Sequence, residues 1–432
     1  MLFSKFFKSD QKITAAAKRT LAQRKNVTAT KSRKTHEKVD VRDLRVGMVV
    51  VQLDKPWEES GFMFQSVEIA STADIEAVSK ECSFVWVDFD EYNLPDTSKP
   101  VQTQQPRLNI GSTAVVIDEI KTATNIQSMA STAVSSLFDD IRLGEELDGT
   151  EVKQAVSGCV DSILRNQDAS LWLTRMQAKD AGTVQHSMNV SALSIIMAKA
   201  IGLNNQEMED VGVCGMLHDV GKTRVPNDLI EKVNPLDPEE IAEMQRHTTY
   251  GRDILLSTQN VMSVAADVAY SHHERPDGLG FPQGLKDDQI PVYSKIVAIA
   301  DAYDNMTRNK PYRAALSPSH ALQELYQLRG KQFDDELVVL FIDSVGIFPP
   351  GSIVEMVNKE VGIVLANTAD KLRPRVIMIL DSIGEPAMQR VVDLSRLEID
   401  NEGKVYQVKT THSDGTFGIN VGEFQRAGLR IG

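Results

Sequence analysis

The pattern of apolar and polar positions changes character along the chain. Between Val39 and about Glu91 the apolar residues come in short runs. Val49, Val50, Val51 and Leu53 follow the Gly47 turn and predict a buried strand. Thr72 to Lys80 predicts a short helix, and Phe84-Val-Trp-Val87 a second strand. The polar stretch Lys99-Pro-Val-Gln-Thr-Gln-Gln-Pro106 carries two prolines and predicts a linker. From about Gly111 to Val345 the spacing is mostly helical. His186, Val190, Leu193 and Met197 recur at i, i+4, i+7 and i+11, a single stripe. A further helix is expected to start near Asn205, a good N-cap residue, with Glu207 and Glu209 in its first turns. Met208, Gly212, Gly215 and Asp219 share a face of it. The two glycines admit a close neighbour, and Gly221 is expected to stop the helix. After Phe348-Pro-Pro-Gly351 come short β-rich runs at Ile353–Val357, Val361–Leu365 and Val376–Leu380.

These periods predict a multidomain protein, an all-α helical domain flanked by a small α+β N-terminal domain and a small β-rich C-terminal extension. The expected divisions are a flexible basic tail over 1–38, the α+β domain over 39–98, a linker over 99–111, the helical domain over 112–345 and the extension over 346–432. The chain shows no internal repeat.

Composition narrows the function. Of 432 residues 42% are hydrophobic and 25% charged, enough apolar material for a sizeable core. The net charge of −13 argues against duplex nucleic acid as partner, because that needs a basic field. It leaves room for a small anion held by a few local cations. From Lys5 to Lys38 bases outnumber acids, which fits a solvated tail. A sharper reading is weak contact with an anionic membrane surface through Phe3, Phe6 and Phe7 together with those bases. No run approaches the length of a membrane span and no secretory signal is present. Cys82, Cys159 and Cys214 are scattered and odd in number, as expected of reduced thiols in a cytoplasmic protein.

The histidines carry the chemistry. There are eight, and five lie between His186 and Asp301: His186, His218, His247, His272 and His273. Asp219 adjoins His218, and Asp301 closes the apolar run Ile296-Val-Ala-Ile-Ala300. Imidazole and carboxylate are the side chains that hold divalent transition metals. Seven such ligands exceed what one ion needs and suit two ions sharing a bridge, the arrangement that clamps a phosphodiester for in-line attack. Adjacent helical residues diverge by about 100°, so Asp219 can bridge while His218 serves one ion, and His272 and His273 can diverge likewise. Taken singly, each is more often a satisfied core residue, and Asp301 could pair with Lys295. The loop His272-His-Glu-Arg-Pro-Asp-Gly-Leu-Gly-Phe-Pro-Gln-Gly284, with three glycines and two prolines, takes an irregular path beside them.

At this point the chain resembles the HD-GYP family of bacterial cyclic-di-GMP phosphodiesterases, a branch of the HD metallohydrolases. The resemblance runs from about Gln185 to Arg313, through His186-Ser, His218-Asp-Val-Gly-Lys222, His247, His272-His-Glu-Arg-Pro-Asp-Gly-Leu-Gly-Phe-Pro282, Ile290-Pro, Ala300-Asp301 and Pro311-Tyr-Arg313. Leu44-Arg-Val-Gly-Met48 and Leu53-Asp-Lys-Pro-Trp57 resemble, more loosely, the small domain often found before HD-GYP domains. The resemblance implies that the helical domain is of the HD type and catalytic. It implies His186, His218, Asp219, His247, His272, His273 and Asp301 as metal ligands, with Asp219 the bridge. It also implies Lys222 at a substrate phosphate, and Lys310 and Arg313 near the phosphates or guanine. It implies two ions, iron first and manganese as competitor, hydroxide generated between them, and linear pGpG or GMP as product. Gly182 stands where some members place a glutamate for a third ion, and Phe281 where the family has tyrosine. Cyclic GMP–AMP as substrate, a non-catalytic cyclic-dinucleotide sensor, and a module that contacts a diguanylate cyclase (GGDEF) remain open. A mononucleotide-cleaving HD nucleotidase is a more distant alternative.

Overall fold

The structure, a computed structural model, describes residues 36–44, 48–55, 67–69, 72–88, 110–143, 145, 148–175, 182–310, 313–397, 399 and 406–426. Residues 1–35 of the expected basic tail, its phenylalanines among them, residues 99–109 of the expected linker and the Pro311-Tyr312 pair lie outside these, whereas His36–Lys38, expected in the flexible tail, are part of a strand. The chain divides into two compact units, Gln23–Arg107 and one that holds Leu108–Gly432.

In the smaller unit, β1 (His36–Asp40), β2 (Val49–Leu53), β3 (Val67–Glu68) and β4 (Phe84–Asp88) form an antiparallel sheet in the order β1-β4-β2-β3. Helix α1 (Thr72–Glu81) covers it. Alternation along β4 sorts the side chains. Val85 and Val87 enter a core with Val50, Leu53, Ile69 and Val78, while Phe84 and Trp86 face outward, with the Lys38 ammonium 3.3 Å from the Phe84 ring centre. The expected strands and helix are present, and β1 joins them unforeseen.

The larger unit begins with a helical hairpin, α2 (Ile110–Leu143) and α3 (Thr150–Thr174). Inside α3, Asn166 leaves helical geometry at φ −158° and ψ 100°, and its side chain accepts from the Asp168 N–H at 3.0 Å, capping a fresh helical segment. Next come α4 (Thr183–Ile201) and α5 (Asn205–Leu217). The cap of α5 is Asn204, one residue earlier than the sequence suggested, and it forms a reciprocal capping box with Glu207. Gly212 and Gly215 lie against α4: a methyl at Gly212 would sit 2.8 Å from the Ile195 Cδ1, and one at Gly215 3.0 Å from the Ser191 Cα. At Gly215 α5 therefore meets the backbone of α4, and the Ser191 hydroxyl donates to the Gly212 carbonyl at 2.8 Å. The helix α4 is buried nearly all round rather than along a stripe.

Shorter elements follow: a 3-10 turn at Val220–Arg224, α6 (Asn227–Ile230), α7 (Pro238–Gln245), α8 (His247–Ser257), α9 (Ser263–Ser271), α10 (Val292–Thr307), α11 (Pro318–Gln327) and α12 (Asp335–Val345). Gly221 does not act as the expected left-handed stop. The helix ends at Leu217, the chain tightens into the 3-10 turn, and Gly221 is not among the positive-φ glycines. What it provides is room. A Cβ there would lie 1.9 Å from the His247 carbonyl oxygen and 2.4 Å from the Gly251 nitrogen.

The β-rich C-terminal part is a five-stranded antiparallel sheet, with β5 (Ile353–Met356), β6 (Val361–Ala366), β7 (Arg375–Leu380), β8 (Pro386–Asp393) and β9 (Val408–His412) in the order β8-β7-β6-β5-β9. Helix α13 (Val421–Arg426) closes the described chain. One sheet face shares a core with the hairpin, where Ile363, Leu365 and Ile377 join Ile120, Ala169 and Trp172. The other face buries Val354, Val364 and Met378 against Tyr406. Burial on both faces explains why β6 is buried at every position and reads as a continuous apolar run. Among the described residues no helix is long and apolar enough to cross a membrane.

Candidate metal centre

Five helices aim side chains at one point. His186 comes from the first turn of α4, and His218 and Asp219 from the end of α5. His247 comes from the start of α8, His272 and His273 from the end of α9, and Asp301 from the middle of α10. Helix ends dominate because a terminal residue can reach across to a neighbouring helix without its own next turn in the way.

The two oxygens of Asp219 face different groups. Its Oδ2 lies 3.5 Å from Nε2 of His186 and 3.4 Å from Nε2 of His218. The same two nitrogens lie 3.0 and 3.7 Å from Oδ1 of Asp301. On the other side, Oδ1 of Asp219 lies 3.5 Å from Nε2 of His247 and 3.8 Å from Nε2 of His272. His273 completes this second group, in which the four ligand atoms of Asp219, His247, His272 and His273 all lie within 4.8 Å of one another. His272 and His273 thus face the same half of the site instead of diverging, with ring centres 4.1 Å apart. All seven expected residues are brought together, and Asp301 faces the histidines and accepts from Asn305, while Lys295 pairs with Asp287 and Asp334.

The hydrogen bonds behind the rings fix which nitrogen faces inward. Nδ1 of His218 lies 2.8 Å from the Gly215 carbonyl, that of His247 2.7 Å from the Met244 carbonyl, and that of His272 3.0 Å from the Ala269 carbonyl. A carbonyl only accepts, so each Nδ1 carries a proton and each Nε2 is the atom turned inward, able to offer a lone pair when the ring is neutral. His186 is held instead by a carboxylate, Asp304, 2.7 Å from its Nδ1. The Nε2 atoms of His186, His218, His247 and His272 and the Oδ1 of Asp219 are buried with no hydrogen-bond partner. A buried polar atom without a partner costs about 1–3 kcal/mol, and five converging on one point call for a shared partner. Lone pairs on imidazole and carboxylate, backed by acceptors on their far side, fit a divalent cation.

Electrostatics divides the site in the same way. Burial works against charge on His186, but Asp219, Asp301 and Asp304 outweigh it and push this ring up to about 10. Asp219 and Asp301 likewise raise His218 to about 9. Although burial opposes it, Asp219 is held well below the carboxylate range by Lys222 and His218, and Asp301 by His186 and His218. In the other half burial prevails. It drives His273 down to about 3 and lowers His247 and His272, with the neighbouring histidines adding to the effect.

Around the cluster lie the expected cations. The Lys222 ammonium bonds Oδ2 of Asp219. Lys310 is half-buried, its ammonium disfavoured first by burial and then by Lys222, with Asp301 opposing. Arg313 is exposed and donates to the Asn305 carbonyl at 2.7 Å. Two supporting residues, Asp304 and Glu274, went unnoticed in the sequence. Asp304 holds His186 and also accepts from Asn189 at 2.7 Å. Glu274, itself buried, accepts from the N–H groups of Gln283 and Leu285 at 2.7 and 2.8 Å and so buckles the loop that follows His273. A signal for Asp304 existed: it shares a helical face with Asp301 at i+3, two carboxylates in an otherwise apolar segment.

Comparison with known proteins agrees with this geometry. A family model described as an HD domain matches residues 167–337, and one described as a domain of unknown function (DUF3391) matches residues 36–152. A cyclic di-GMP phosphodiesterase of Pseudomonas aeruginosa is 31% identical over 375 residues, which is 83% of this chain and 89% of that protein. A cyclic di-GMP phosphodiesterase of Thermotoga maritima is 36% identical over 165 residues, 38% of this chain and 45% of that protein. A 3′3′-cGAMP-specific phosphodiesterase of Vibrio cholerae is 34% identical over 169 residues, 39% of this chain and 32% of that protein. The buried His/Asp cluster in an HD domain fits a divalent-metal site, and the chain belongs to the HD-GYP family of cyclic-di-GMP phosphodiesterases.

Proposed function

We propose that this chain hydrolyses cyclic-di-GMP to linear pGpG, and further to GMP, at a centre of two divalent ions. The observation that carries the reading is the division of labour at Asp219, whose two oxygens face two separate sets of buried, partnerless ring nitrogens. His186, His218 and Asp301 would hold one ion and His247, His272 and His273 the other, with Asp219 between. Two bound dications lower the pKa of water lying between them and take up charge that builds on the phosphoryl oxygens. With ions bound, His186, His218, His247 and His272 would be neutral and Nδ1-protonated, so their role is to bind and orient. Lys222, one 3-10 turn beyond Asp219, is placed to donate to a phosphoryl oxygen. Lys310 and Arg313 extend the cationic rim towards the rest of the substrate. Iron is the ion the family resemblance implies, with manganese the competitor.

Relatives named for 3′3′-cGAMP support a second substrate of the same class. The residues around Asp219 read phosphate and not base, so they accommodate either dinucleotide. A cytoplasmic location fits three free cysteines. Contact with a diguanylate cyclase belongs to the same reading and is testable by pull-down with the Gly280-Phe-Pro282 loop varied.

The test is product analysis. Ion-free protein reloaded anaerobically with iron(II) or manganese(II) should convert cyclic-di-GMP to pGpG, at a rate to be set beside that on 3′3′-cGAMP. Asp219→Ala should abolish turnover on both. Tight binding without turnover under either ion would make the chain a sensor instead.

A further inference from the structure

Four of the five cluster histidines are oriented by an acceptor behind the ring: a carboxylate for His186 and main-chain carbonyls for His218, His247 and His272. His273 is held differently. Among the described residues no hydrogen bond orients its ring. Its support is aromatic: the Phe281 ring is stacked on it, with centres 4.6 Å apart and planes 27° apart, while His247 meets it edge-on at 5.1 Å.

The chain spends several contacts to keep Phe281 there. The Phe281 N–H donates to the His273 carbonyl at 3.2 Å. Gly280 lies so close to the same strand of backbone that a Cβ would fall 2.4 Å from the Arg275 nitrogen and 2.6 Å from the His273 carbonyl oxygen. The next residues are tied back by the two N–H bonds to the buried Glu274 carboxylate. Thus the loop returns to the ligand from which it departs, and it supports the face of the imidazole, whereas the other ligands are held at Nδ1 by an acceptor.

We propose that Phe281 is the positioning residue of His273: its ring, fixed by Gly280 and Glu274, sets the plane of that imidazole and hence the affinity of the half-site formed by Asp219, His247, His272 and His273. Stacking needs the ring and not a hydroxyl, so phenylalanine here does what tyrosine would do. The inference rests on the two-ion reading given above. Losing the support behind a ligating histidine typically weakens binding about 10–100-fold, and only one of the two ions should feel the change.

The experiment is manganese(II) titration of the full chain, followed by electron paramagnetic resonance and bound-metal analysis. Wild type and Phe281→Tyr should take up two ions with the same pair of affinities. Phe281→Leu, which keeps apolar bulk without a ring, and Phe281→Ala should keep one affinity and lose about 10–100-fold in the other. The weakened ion should be the one that His273→Ala weakens and His186→Ala spares, and adding His273→Ala to Phe281→Leu should cost little more. Should the alanine variant fail to fold, the leucine and tyrosine variants decide the matter. Two unchanged affinities in Phe281→Leu, or equal weakening of both ions, would overturn the proposal while leaving the two-ion centre standing. A wild-type chain that binds no manganese and no iron would overturn the centre itself.

Discussion

Asp304 accepts from Nδ1 of His186 at 2.7 Å, and this bond decides which nitrogen of the ring faces Asp219 and Asp301. The carboxylate is itself placed by Asn189 at 2.7 Å and by Arg308 at 3.5 Å. Asp304→Asn keeps the shape and removes the charge. The expected result is a loss of about 10–100-fold in affinity for the ion on the His186 side, read by competition with a chromogenic chelator. Wild-type affinity would show that the carboxylate is dispensable.

Close approach at Gly221 is the most exacting steric requirement of the site. Gly221→Ala would drive a methyl into the backbone of α8, at the His247 carbonyl and the Gly251 nitrogen. Over-packing against backbone that cannot swing aside should cost about 3 kcal/mol. It should also displace Asp219 and Lys222, which flank the glycine. Chemical denaturation measures the first effect and bound metal the second. A variant as stable as wild type, with full metal content, would refute this.

Ion loading should expel protons. Without ions, the acids around His186 and His218 keep these rings protonated up to about 10 and about 9, against an ordinary value of 6.5. Their stabilising contribution is complete below that ordinary value and disappears as pH rises through the two raised ones. Ligation needs neutral rings, so binding at about pH 7.5 should release about two protons per chain. Calorimetric titration in buffers of different ionisation enthalpy detects the release. A heat that does not depend on the buffer would contradict it.

Lys222→Ala should separate binding from turnover. Its ammonium bonds Asp219 directly, yet an ion at that oxygen supplies the same compensation. Two ions per chain should therefore remain, while kcat falls about 100–1,000-fold through loss of a donor to the phosphoryl group. Metal loss without a kinetic defect would assign the lysine to the centre's assembly.

The ligands were legible in the sequence because their identity is their signal: histidines concentrated in one stretch, and an aspartate in an apolar run, have few other uses. What holds them was less visible. Asp304 serves a ring 118 residues away, and nothing local announces a contact between α4 and α10. Glu274 looks like one more polar loop residue until the loop closes on it. The same logic separates the strands. β6 is buried on both faces and reads as an apolar block, and β4 shows clean alternation. β1, β8 and β9, all at sheet edges, carry charged or polar side chains such as Lys38, Arg390 and Lys409, which blunt the period. Gly221 was recognised as special for the wrong reason, since a helix stop and a backbone crossing use the same residue.

Asp219 would join two ions, one through each oxygen. The decisive measurement is anomalous diffraction from crystals loaded with manganese or iron. Two peaks about 3.5–4 Å apart, one beside His186, His218 and Asp301 and the other beside His247, His272 and His273, with Asp219 touching both, is the predicted result. A single peak, or two peaks with Asp219 bound to neither, would contradict it.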